Sequence, residues 1–248
     1  MKVSLAVPEL TGNAEANLAR VETMLSEAAR DRPDVALFPE ACLTGFQVTD
    51  DPAHDLALGV RIPGPETDRL RLAAKEAGAW VVLGMFERDG DTLFDSALLL
   101  SPDGEIALKY RRISPGWHAG DASPDAYGHG IDIRPCDTNF GRAVFLVCGD
   151  MFEDTLVDRA RQVAPDCVFV PVARSFDDGK VDTRRWEDKE KPGYITQAAK
   201  LSTRVFIANC LCLAGHDRSF GGALAMAADG SLLGSLPVGR PGILTVEA

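Results

Sequence analysis

The chain has 248 residues, 46% of them hydrophobic, and a formal net charge of -11. That length and apolar content suffice for one large core, and no shift in composition divides it, so the expectation is a single domain over 1–248. The acidic balance excludes nucleic acid and anionic membrane surfaces as natural partners, and no apolar run is long enough to span a bilayer.

The first element is the strand "KVSLAV". It is too short in its apolar run for an export signal, so a cytoplasmic protein with its six cysteines as free thiols is expected. From Asn13 a helix follows, with Leu18, Val21, Leu25 and Ala28 on one apolar face. "RPDVALFPE" reads as a second strand, apolar enough to be covered on both sides. Its end presents a carboxylate, Glu40, to a loop of small residues. Pro65 to Ala77 predicts a helix. "AWVVLGMFE" and "LFDSALLLS" predict a hairpin turning at Asp89-Gly90, and "IALKY" continues the sheet.

The second half repeats this order. "GRAVFLVCGD" is a strand, Glu153 to Val163 a helix, "DCVFVPVA" a buried strand, "GYITQAAKLST" a helix and "RVFIANCLCL" a strand, with a closing hairpin at Asp229-Gly230. Two such halves, stacked sheet on sheet with helices outside, predict a four-layer α-β-β-α sandwich; a single doubly wound sheet is the alternative. Two segments stand outside the pattern. Residues 111–130 are rich in Gly, Pro and Asp, and residues 174–192 are densely charged. Both read as irregular loops of the kind that carry function.

Three polar groups fall where buried strands give way to turns: Glu40, Lys109 and Cys148. Strand ends collect catalytic groups in α/β proteins. A thiol needs a base and a cation to attack a carbonyl, because its ordinary pKa of roughly 8.5 leaves little thiolate at neutral pH. Glu40 can take the proton, Lys109 can stabilise thiolate and oxyanion, and the N–H of Gly149 can point at the same oxyanion. The histidines, His54, His118, His129 and His216, show no metal-ligand spacing and no comparable strand-end setting. That argues against a zinc site, and against a Cys-His hydrolase.

These residues sit in blocks that resemble the nitrilase superfamily of carbon–nitrogen hydrolases: "DVALFPEACLTGF", "GEIALKYRRISP", "VFLVCGD", then "VFIAN" and "FGGALAMAADGSLLG". The resemblance implies the α-β-β-α sandwich and a Glu-Lys-Cys set carried by Glu40, Lys109 and Cys148. It also implies a cofactor-free enzyme that hydrolyses small amides, carbamoyl groups or ω-amides through a thioester, and a homodimer or larger assembly. Two departures stand out. Between Lys109 and Cys148 there is no glutamate, where many members have one; Asp125 and Asp121 are the candidate substitutes. After the cysteine stands Gly149 instead of the frequent tyrosine or tryptophan. The missing glutamate supports a rival reading, a nitrilase-like binding or scaffold protein without turnover. Arg174, with Arg184 and Arg185 in the charged segment, and Trp117 in the loop are candidates for substrate binding.

Overall fold

The computed structural model describes residues 1–214 and 218–248. Among these residues there are two large sheets. The first runs in the order 242–247, 2–7, 35–37, 80–89, 92–100, 106–111, with the short strand 127–128 added beside 92–100. The second runs 232–236, 223–226, 204–209, 167–172, 141–145, 136–138.

Strand alternation explains how the layers stack. Val3, Leu5 and Val7 face the second sheet and share one core with Phe145, Phe169, Phe206 and Leu224. Ala6, on the opposite face, packs with Leu18, Val21, Leu25, Leu70 and Ala74 from the helices Ala14–Ala29 and Pro65–Ala77. The second sheet is covered by Asp154–Gln162, through Leu156, Val157 and Ala160, and by Lys191–Ala199. This is the expected four-layer sandwich, not one doubly wound sheet.

The helix ends follow their sequences. The Asn13 side chain accepts from Ala16 N at 3.0 Å, and Gly78 closes the second helix in the left-handed region at φ 62°. Both expected hairpin turns form, Asp89 pairing with Thr92 and Met226 with Leu232.

Three elements differ from expectation. The C-terminal strand Gly242–Glu247 was not anticipated; it leaves the second sheet and pairs antiparallel with Lys2–Val7. "RVFIANCLCL" is broken after Asn209, and Leu211–Cys212 pairs instead with Glu9–Leu10. The charged segment, expected to be irregular, is helical from Thr183 through Ala199 in three successive stretches, the middle one a π-turn. Trp186 explains that order: it is buried against Tyr194 and Phe220, at ring separations of 5.6 and 5.3 Å. Among the described residues no helix is long and apolar enough to cross a membrane, and no group of three or more His, Cys, Asp and Glu side chains could hold a metal.

Candidate active site

Cys148 stands at the C-terminal end of the run that begins with strand Gly141–Phe145. Its backbone is left-handed at φ 46°, and a tight 3-10 turn, Cys148–Phe152, follows at once. A side chain held in that rarely populated conformation is lifted out of the sheet and presented at the strand end. The turn is pinned by Asp150, which is fully buried and takes four hydrogen bonds. Val147 N (3.0 Å) and Tyr110 Oη (2.6 Å) donate to Oδ2, and Ile113 N (3.1 Å) and Ser114 N (2.7 Å) donate to Oδ1. Asp150 thus ties the cysteine turn to the loop leaving the first sheet.

Glu40 comes from the turn after Val35–Leu37 and is fully buried. It lies so close over strand Trp80–Asp89 that a Cβ on Gly84 would sit 2.5 Å from Glu40 Cα. Only glycine permits that approach. Glu40 is within hydrogen-bonding reach of both Cys148 and Asp95, and its Oε1 accepts from Arg112 Nη1 at 3.2 Å. Burial pushes its carboxyl up to about 8, with the neighbouring Cys148 adding to the rise; Asp95 and Arg112 oppose it.

The cation of the site is Arg112, and Lys109 is not part of it. Lys109 lies on the opposite face of its strand, where its Nζ pairs with Glu87 Oε1 at 2.5 Å alongside Arg111. Strand parity decides this. The ladder sets Leu98 against Lys109 and Ala97 against Tyr110, and it is Ala97 and Tyr110 that face the second sheet. Arg112, two residues beyond Tyr110, inherits the inward side. The same parity is written in "IALKYRR", where Lys109 and Arg112 are an odd number of residues apart.

Arg112 is nearly buried. Its Nη1 also reaches Asp95 Oδ2 at 3.3 Å, its Nε donates to Ser114 Oγ at 3.0 Å, and its Nη2 donates to Pro115 O at 3.2 Å. Burial works against its charge, but Cys148, Glu40, Asp95 and Asp150 outweigh that and hold it protonated. Gly149 makes room for it: a Cβ there would lie 2.5 Å from Arg112 Nη2 and 2.9 Å from Ser114 Oγ. The aromatic residue often found after the cysteine would collide with this guanidinium.

The other candidates separate. Asp121 and Asp125 are exposed, and what Asp125 contributes is its backbone carbonyl, accepting from Thr92 Oγ1 at 3.2 Å. Trp117 is not at the cleft surface. It is buried among Phe86, Tyr127 and Ala126, with its Nε1 donating to His129 Nδ1 at 3.4 Å. Arg174 does reach the site. Cys148, Gly149 and Arg112 open into a cleft of about 530 Å³ whose far wall includes Arg174, Lys189, Glu190 and Tyr194. His216 lies outside the described residues.

The family model for carbon–nitrogen hydrolases matches residues 3–248. The chain therefore belongs to the carbon–nitrogen hydrolase family, within the nitrilase superfamily. It is 33% identical over 155 residues to an aliphatic nitrilase of Sinorhizobium fredii and 31% identical over 154 residues to nitrilase 3 of Arabidopsis thaliana. Those alignments cover 56% and 54% of this chain but only 49% and 42% of the relatives, so the chain spans about half their length or less. Among solved structures, an amidase from Nesterenkonia sp. AN1, in a variant with acrylamide added to its active-site cysteine, matches 100% of this chain and 93% of its own. Its TM-score is 0.81 at 21% identity. A carbon–nitrogen hydrolase from Helicobacter pylori G27 matches at TM-score 0.84 and 16% identity, over 99% of this chain and 88% of its own. At such identities the likeness is one of fold.

Proposed function

We propose that the protein is an amidase-type hydrolase in which Cys148 attacks the carbonyl of a small amide. One observation carries the reading: a cysteine presented by a left-handed turn is within hydrogen-bonding reach of a buried glutamate, with a buried guanidinium beside both. Glu40 takes the thiol proton as sulfur bonds to the carbonyl carbon. The negative charge that develops on the carbonyl oxygen is stabilised by Arg112 and by the N–H of Gly149. As the C–N bond breaks, Glu40 returns the proton to the departing ammonia or amine. Water, deprotonated by Glu40, then hydrolyses the thioester. The far wall of the cleft, with Arg174 and Lys189 against Glu190, favours an amide that carries a carboxylate at its other end.

The test is an ammonia-release screen over short neutral amides, ω-amides, carbamoyl amino acids and nitriles, with intact-mass analysis on the slowest substrate. The expected result is ammonia from an amide and an acyl adduct that maps to Cys148. Full activity in Cys148→Ala, or an adduct on another cysteine, overturns the mechanism. Turnover of nitriles alone overturns the amide assignment.

A further inference from the structure

Besides Glu40 and the turn acid Asp150, the site holds a third buried acid. Asp95, on strand Thr92–Leu100, is 1% exposed and lies within hydrogen-bonding reach of Glu40. A single nitrogen, Arg112 Nη1, contacts both carboxyls, at 3.2 Å to Glu40 and 3.3 Å to Asp95. Among the described residues the second oxygen of each, Glu40 Oε2 and Asp95 Oδ1, finds no hydrogen-bond donor.

Counting charge shows why this matters. The Glu40 and Asp95 carboxylates with the one guanidinium sum to minus one even before Asp150 is counted, and ionising Cys148 would add another negative charge. Burying unpaired charge is costly, and carboxyls that share a site lower the cost by retaining a proton. A retained proton also supplies the donor that the orphaned oxygens lack.

We propose that Asp95 is a positioning residue for Glu40: its protonated carboxyl donates a hydrogen bond to the Glu40 carboxylate and holds the base ionised and aimed at Cys148. The inference rests on Glu40 being the base. Once Glu40 is ionised, these four groups are together neutral, with Asp95 protonated, Glu40 negative, Arg112 positive and Cys148 a thiol, while the neighbouring Asp150 is held by its own four hydrogen bonds. When the proton moves from Sγ to Glu40 the sum over these four groups does not change, because the thiolate replaces the carboxylate. The Asp95 proton stays on Asp95 throughout. Burial and the Glu40 charge both raise the Asp95 carboxyl well above the ordinary range, in keeping with that assignment. The groups facing the pair are Arg112 from the end of the neighbouring strand, Asp150 and Cys148 from the 3-10 turn, and Tyr194 from helix Lys191–Ala199. Glu87 lies on the other face of the sheet, paired with Lys109 and Arg111.

The experiment compares the parent with Asp95→Asn and Asp95→Ala in two assays that need no substrate. The first is the pH dependence of Cys148 alkylation by iodoacetamide. Asparagine is an isosteric permanent donor, so the limb near pH 8 should move by less than about one unit in Asp95→Asn. It should rise by about a unit or more in Asp95→Ala, where Glu40 loses its donor. The second is the infrared carbonyl band of a protonated carboxyl at pH about 9, where Glu40 is ionised. It should be present in the parent and gone in Asp95→Asn. If Asp95 is instead an anion paired to Arg112, both substitutions lower the alkylation limb by more than about a unit. That result, or an infrared band unchanged by Asp95→Asn, overturns the proposal. A failed amide screen would leave both assays standing, so the two readings fail separately.

Discussion

At the residue scale the site is a contest between burial and charge. Glu40 has a carboxyl raised to about 8, and as the proposed base it must be ionised to accept the thiol proton. The expected consequence is that kcat/KM rises with pH along an acid limb near 8. A profile already flat between pH about 5 and 7 would show that Glu40 is not the group titrating. Arg112 is the other decisive residue. Arg112→Met removes the only cation touching Glu40 among the described residues and should cost about 100- to 1000-fold in kcat, the usual loss for one oxyanion donor. Lys109→Met should cost less than about fivefold, because Arg111 still pairs with Glu87. Steady-state kinetics of the two variants side by side decide between them; the reverse order would restore Lys109.

At the scale of elements, two turns from different sheets must meet at the site, and Asp150 makes that joint. Its two oxygens accept three backbone N–H groups and the Tyr110 hydroxyl. In Asp150→Asn one oxygen becomes a donor and faces groups that also donate. Each buried donor left unpaired costs about 1–3 kcal/mol, so denaturant midpoints should fall well below those of Tyr110→Phe, which loses one bond. Equal destabilisation of the two variants would show that Asp150 is not the joint. The hydrophobic periods made the helices Ala14–Ala29 and Pro65–Ala77 and the two hairpins legible in sequence. The helical course of Thr183–Ala199 was not, because its polar sequence hides one buried anchor, Trp186, whose partner Phe220 lies far along the chain.

At the scale of the whole molecule, the chain's two halves are interlocked. The last strand, Gly242–Glu247, pairs along all of Lys2–Val7, and Met1 N donates to Ala248 O at 2.8 Å. The buried acids also set how stability responds to pH. The Glu40 carboxyl titrates near 8 in the fold against an ordinary 4.5, so the folded chain holds that proton more tightly than the unfolded one. Its contribution is complete below about pH 4.5 and is lost as pH rises through about 8. Asp95 is shifted in the same direction. Glu40→Gln cannot ionise, so its melting temperature should gain on the parent's as pH is raised from about 5 to about 9. A difference that does not change with pH would show that Glu40 is not held in its raised state.

Sequence alone determined the sandwich and singled out the cysteine and the glutamate proposed here as nucleophile and base. Each rests on local pattern: apolar runs of strand length, helical spacing, and a carboxylate or thiol where an apolar run stops. It also showed that the loop glutamate is absent. Only the tertiary structure decided which cation lies beside Glu40. Lys109 and Arg112 are three residues apart on one strand and its exit, so their side chains leave on opposite faces. Which face meets the second sheet is set by the ladder with Thr92–Leu100. The same ladder places Asp95 beside Arg112, where a residue read in sequence as one polar position in "LFDSALLLS" becomes a second acid against Glu40. Pairings between distant strands carry that information, and no local pattern contains it.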